Sequence, residues 1–165
     1  MANVYDLATG AVHAVCESSR LKATVVGHIY DLECHKELDN GAIVGVGAHV
    51  NGQVFKAKDY VKGDVACLVL TVPFAYNGKK YQSEEKFFYN AKGELARAYE
   101  LHVGDIYTIS EAGLENIPAE GSAVGKFIDA TNTIADAAGT GFAGEIIEEV
   151  AYSNGKAYRI LVKAL

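Results

Sequence analysis

The longest apolar stretch free of charge is residues 65–72, entered through Lys62, Gly63 and Asp64 and left through Pro73. A run of that length suits a strand and is too short for a stable helix. Its β-branched members Val65, Val69, Thr71 and Val72 fit a pleated surface. The pattern predicts a buried central strand whose two faces are covered by the rest of the chain. A second clear pattern closes the sequence: over 156–163, Tyr158, Ile160 and Val162 alternate with Arg159, Leu161 and Lys163. A period of two marks a half-buried strand. Weaker patterns predict strands at 21–26 and 28–34 around Gly27, and at 42–46, 106–109, 126–130 and 142–150. Residues 36–39 are a polar connection, 81–85 an edge or loop, and 111–124, with Gly113, Pro118 and Gly121, a loop. The Ala-rich segment 131–138 is the best candidate for a short helix.

Asn-Gly dipeptides begin at Asn40, Asn51, Asn77 and Asn154. Both residues tolerate the positive φ that a type I′ turn requires, so Asn-Gly between alternating residues is a strong hairpin signal. The last three have such flanks, and a further hairpin is expected at 90–93, between 87–89 and 94–96. Hairpins imply antiparallel pairing. The expected fold is therefore all-β: a mostly antiparallel sandwich or small barrel with at most one short helix. Residues 60–65 and 101–106 echo each other, each a Gly-Asp turn opening an apolar strand. Shared turn chemistry explains so short a repeat as readily as duplication does.

A chain of 165 residues fits one domain and buries roughly 70% of its unfolded surface without staples. The expected organisation is an N-terminal arm over 1–10 and a β-rich domain over 11–165, with any subdivision near 59–64 or 98–105. The formal charge of −6 is spread along the chain. No basic stripe is offered to a phosphate backbone, which argues against nucleic acid as the main partner. The start has no basic segment leading into an apolar one, and no run approaches the roughly 18 apolar residues of a membrane span. Neither export by a recognisable signal nor membrane insertion is expected. Cys16, Cys34 and Cys67 are odd in number and contain no C-x-x-C, which suits a reducing compartment without a disulfide framework.

The candidate chemistry is thin. Gly139, Gly141 and Gly144 spell G-x-G-x-x-G, but a dinucleotide fingerprint needs a strand before it, a helix after it and an acidic residue about 20 positions on. An Ala-rich segment precedes this one and a hairpin follows, so it reads as a loop before a strand. His28, Asp31, Glu33, Cys34 and His35 are the densest group of metal-ligating types. On a strand His28 and Cys34 share a face but stand about 20 Å apart, too far for one ion. A closed first shell would need help from distant sequence, so no metal and no cofactor are expected. Were a metal present, Cys34, His35 and His28 would be the first suspects. His13, His49 and His102 stand alone in sequence and read as ordinary surface or half-buried groups. Cys67 is expected in the core, and adjacent strand residues such as Cys34 and His35 face opposite sides, so no activated thiol is predicted. No G-x-S-x-G, H-E-x-x-H or Walker-type loop occurs. The aromatic group Tyr76, Tyr81, Phe87, Phe88, Tyr89 and Tyr99 suits a sugar platform or protein interface; cross-strand pairing within the sheet is the simpler account.

The second half, about 98–165, carries the glycines and turns of a small β-barrel: Gly104 and Asp105 before an apolar strand to Ser110, then Gly125, Lys126, Phe127 and Ile128, then Gly141 to Ile147 and a closing hairpin. In this it resembles the capsid decoration (auxiliary, or cement) proteins of tailed bacteriophages. The start, Ala2, Asn3, Val4, Tyr5, Asp6 and Leu7, resembles the extended arms of such proteins. The resemblance implies a virion structural protein rather than an enzyme. It would be made in the host cytoplasm and bound to the outer capsid surface, with the major capsid protein as partner and self-association, as a trimer for instance. It implies no catalytic residues. The interaction residues expected on the arm are Val4, Tyr5 and Leu7. The residues alone leave two alternatives open: a carbohydrate- or receptor-binding β-module, and a small ligand-binding barrel or enzyme with a site in loops such as 111–124.

Overall fold

A computed structural model of the chain describes residues 12–73, 85–152 and 155–165. In order the elements are β1 (Cys16–Arg20), α1 (Ala23–Val26), β2 (Ile29–Glu33), β3 (Ile43–Asn51), β4 (Val54–Asp59), β5 (Ala66–Val69), β6 (Leu95–Glu100), β7 (Ile106–Ser110), β8 (Phe127–Ile128), β9 (Ile134–Ala135), β10 (Ala143–Tyr152) and β11 (Gly155–Ala164). Single 3-10 turns lie at Glu85–Phe87 and Glu111–Gly113. The fold is all-β, with α1 a single turn. Strands β2 to β6 close a barrel in the order β2-β4-β3-β5-β6, and the others form a six-stranded sheet in the order β1-β7-β11-β10-β8-β9. Pairing is antiparallel except between β2 and β4, which run parallel. Among the described residues no helix is long and apolar enough to cross a membrane.

The barrel is inserted between the first two neighbouring strands of the sheet: the chain leaves β1, builds the barrel, and returns through residues 101–105 to β7, which pairs with β1. Residues 59–64 are a connection inside the barrel, between β4 and β5.

The central strand expected over 65–72 forms in only half of that run, as β5, with Val65 and Val72 exposed on either side of it. All residues of β5 are buried, and their alternation feeds two cores. Cys67 and Val69 point into the barrel interior with Leu32, Val44 and Ala98, while Ala66 and Leu68 join Tyr107, Ile109, Phe142 and Ile160 between barrel and sheet. A strand covered on both faces reads as a continuous apolar run rather than an alternating one. Strand β11 carries the other expected pattern, with Tyr158, Ile160 and Val162 buried. The β3–β4 and β10–β11 hairpins form as expected. The expected turn at Asn77 lies outside the described residues.

The echo between 60–65 and 101–106 is one turn built twice. Asp64 Oδ2 accepts from the Val61 N–H at 3.0 Å, and Asp105 Oδ2 from the His102 N–H at 2.8 Å. The intervening Gly63 and Gly104 take φ of 98° and 97°, a conformation glycine adopts without Cβ strain.

Three expectations are corrected. Residues 21–26 are not a strand: Thr24 N–H bonds Leu21 O, and Gly27 N–H closes a helical turn onto Ala23 O. Residues 131–138 are not a helix. Asp129 Oδ1 accepts from the Thr131 and Thr133 N–H groups and Asn132 sits at φ 59°, which a right-handed helix excludes. The chain reverses there, so that Phe127 and Ile128 pair with Ala135 and Ile134. The hairpin expected at 90–93 does not join 87–89 to 94–96. Asn90 is instead spent on Leu38, exchanging both backbone bonds with it, and β6 pairs with β2 and β5.

Candidate functional site

The arm residues Val4, Tyr5 and Leu7, expected to make the interaction, lie outside the described residues. The described chain starts firmly. His13 Nδ1 meets Asp39 Oδ1 at 2.7 Å, Ala14 N–H donates to Asp39 Oδ2 at 3.0 Å, and Val15 N–H donates to Ser110 Oγ at 2.9 Å. Strand β1 follows directly. It pairs with β7 on one side, and among the described residues no strand pairs with its other side. All its residues but Cys16 are exposed. Beside this edge runs a groove of about 300 Å³, lined among others by Val15, Ser18, Leu70, Val72 and Tyr99.

The sequence cluster of metal-ligating types is taken apart by the fold. Cys34 is buried in the barrel interior, where burial, then Glu94 and Glu33, push its thiol up to about 11. His35 Nε2 lies 3.1 Å from Asp59 Oδ1, and Lys36 Nζ bonds the same oxygen at 2.6 Å. Lys36 first, then His35, hold the Asp59 carboxyl below its usual range. All the cysteines are free and buried. Burial pushes Cys67 up to about 12, with a smaller contribution from Glu100, and raises Cys16 strongly, helped by Glu17. None has the depressed pKa of a nucleophile. Of the aromatic group, Phe88 and Tyr89 are buried, Tyr89 stacks on His13 at 4.7 Å and Tyr99 packs on the core. These are internal packing contacts. Tyr76 and Tyr81 lie outside the described residues. The G-x-G-x-x-G run ends inside β10, with Phe142 and Ala143 buried and a strand where a nucleotide site needs a helix.

His102 does not stand alone. Antiparallel pairing sets Ile29 opposite Tyr99, and the Glu100 N–H bonds His28 O at 3.1 Å, so the entry to β2 and the end of β6 meet. Glu100 ends β6 and His102 follows it in the turn that leads to β7. The result is a compact group. His28 Nδ1 lies 3.1 Å from Glu100 Oε2, His102 Nε2 lies 3.5 Å from Glu100 Oε1, and the ligand atoms of all three fall within 4.8 Å of one another. The imidazoles are near-parallel, 30° apart with centroids at 6.3 Å. His28 is half exposed, while Glu100 and His102 are mostly covered. Burial first, and then the Glu100 carboxylate, push the neighbouring Tyr30 phenol up. Sequence reasoning suspected His28 with the wrong partners, because Glu100 and His102 reach it through strand pairing 72 residues along the chain (100 − 28).

No protein-family model, curated protein or solved structure matches this chain.

Proposed function

We propose that the protein is a virion structural protein that binds the outer surface of a tailed-phage capsid and stabilises it, as a homo-oligomer and in contact with the major capsid protein. The observation that carries this reading is the edge of β1 with which, among the described residues, no strand pairs. The strand is solvent-exposed at every residue but Cys16 and borders a groove. An extended segment can add to such an edge, its backbone hydrogen bonds supplying affinity and its alternate side chains register. A natural edge left open is a hazard unless something covers it. The segments that carry the resemblance to decoration proteins also fall together, as β7, β8, β10 and β11 of one sheet, with the arm leading into that sheet and the barrel as its insert. The reading assigns the arm residues Val4, Tyr5 and Leu7 to the contact and assigns no catalytic residue.

The test mixes the purified protein with expanded capsids that lack it and measures co-sedimentation and shell melting. Saturable binding with a raised shell melting temperature is the expected result. Absence of both removes the capsid reading and leaves a binding module for another ligand.

A further inference from the structure

We propose that His28, Glu100 and His102 form the first shell of a divalent transition-metal site of the Zn²⁺ class, with Asp105 as the carboxylate behind His102. The inference does not depend on the capsid reading.

The donor set is two imidazole nitrogens and one carboxylate, which suits Zn²⁺ and its late first-row neighbours and not Ca²⁺ or Mg²⁺, whose shells are all oxygen. Bonds of about 2.0–2.2 Å around a tetrahedral ion place ligand atoms roughly 3–4 Å from each other. The close approaches are of that size, 3.1 Å from His28 Nδ1 to Glu100 Oε2 and 3.5 Å from His102 Nε2 to Glu100 Oε1, and one ligand atom from each residue falls within 4.8 Å of the others; the solvent-facing His28 ring can close the remainder by side-chain rotation.

A second observation points the same way. A metal-bound histidine generally donates its other ring N–H to a carboxylate, which fixes tautomer and orientation. His102 Nδ1, on the far side from Glu100, is buried without a hydrogen-bond partner and lies 3.9 Å from Asp105 Oδ2. Asp105 is itself immobilised by the N–H groups of Lys22 and His102. The small ring movement that brings Nε2 onto a metal also has Nδ1 adjacent to a fixed acceptor. With both imidazoles neutral, Glu100 cancels one charge of the dication and Asp105 faces the remainder. The fourth position opens to solvent past His28. Such an ion would tie the start of β2 and the end of β6 to the turn entering β7, the junction of barrel and sheet.

The test titrates the full-length chain, freed of metal by chelator, with Zn²⁺ in a calorimeter, and records the visible spectrum with Co²⁺ in its place. One Zn²⁺ per chain is expected, with a melting temperature that rises with free metal. His28→Ala and Glu100→Gln are expected to weaken binding by at least tenfold, and Asp105→Asn by 10- to 100-fold. His28→Ala alters a half-exposed side chain, and its circular dichroism is expected to match the parent. The Co²⁺ spectrum is expected to lack a thiolate charge-transfer band. No saturable uptake by the parent, uptake unchanged in both His28→Ala and Glu100→Gln, or a strong thiolate band would each overturn the assignment.

Discussion

The backbone N–H of Lys22 donates to the side chain of Asp105 at 2.9 Å, across 83 residues of sequence. Asp105 also accepts from the His102 N–H and is almost fully buried, at 3% exposure. Lys22 belongs to the segment that leaves the sheet for the barrel, and Asp105 to the turn that returns from it. One carboxylate thus closes both junctions of the inserted barrel.

Asp105→Ala removes a charged acceptor from two backbone donors and strands them in a largely closed site. Hydrogen bonds to charged groups contribute about 1.5–3 kcal/mol each, and orphaned donors add their own desolvation cost. A loss of about 3 kcal/mol is expected, read as a lower urea midpoint. Asp64→Ala changes the same turn between β4 and β5, where the carboxylate holds one backbone N–H and the half-exposed Lys58, and is expected to cost less. Equal losses would show that turn chemistry, not the junction, sets the effect.

Gly144 is a packing constraint. It pairs with Ile128 on one side and Val162 on the other, and a Cβ there would stand 2.5 Å from Ile160 Cγ2 and 3.1 Å from Ile128 Cγ1. Both side chains are buried and have little room to yield. Overpacking of this kind costs about 1–3 kcal/mol, so Gly144→Ala is expected to shift the urea midpoint by that amount with an unchanged slope. A neutral substitution would mean that β8 moves away from β10 without penalty.

The sequence pattern revealed what is local. Strand β5 was legible because every residue in it is apolar, β11 because its burial alternates, and the two Gly-Asp turns because their hydrogen bonds close within four residues. The errors arise where the partner, or the lack of one, could not be read from neighbouring residues. The β-branched Thr24, Val25 and Val26 suggest a strand, but among the described residues no strand pairs with them and one helical turn suffices. The Ala-rich 131–138 suggests a helix, but Asp129 and Asn132 set a reversal and Ile134 finds Ile128. The candidate metal ligands were hidden for the same reason, since no spacing rule links His28 to Glu100 and His102 before the register of β2 on β6 is known.

The buried thiols predict alkaline weakening. Their ordinary value is 9.0, and folding raises Cys34 to about 11 and Cys67 to about 12. Above pH 9 the unfolded chain loses these protons while the folded chain keeps them. The unfolded state then binds fewer protons, so stability falls as pH rises. The contribution is complete below pH 9 and is lost progressively from there up to the folded values. Cys67→Ala lowers stability at neutral pH by leaving a cavity, yet its stability should decline less steeply between pH 9 and 11 than the parent's. Identical slopes would show that the Cys67 thiol contributes nothing to the alkaline loss.

The residues that follow the expected arm are held by the domain itself. The clamps on the first described residues begin at His13, Ala14 and Val15, which are tied to Asp39 and Ser110, and Ala14 and Cys16 are already part of the core between barrel and sheet. Every contact that holds β1 to β7 therefore survives removal of residues 2–10. The truncated chain is expected to unfold within about 1 kcal/mol of the parent, as for a change outside the core, while losing capsid binding or self-association. Extending the deletion through Val15 is expected to behave differently. It takes away both Asp39 contacts and the Ser110 bonds, leaves the Ser110 backbone N–H without the Val15 carbonyl it donates to, and uncovers Ile109 and Leu114 of the same core; a further loss of several kcal/mol is the expected result. Urea unfolding of the two truncations beside the parent decides the matter. If the short deletion already unfolds the domain, residues 2–10 are a core strand, and the proposed capsid contact through Val4, Tyr5 and Leu7 is lost with the arm.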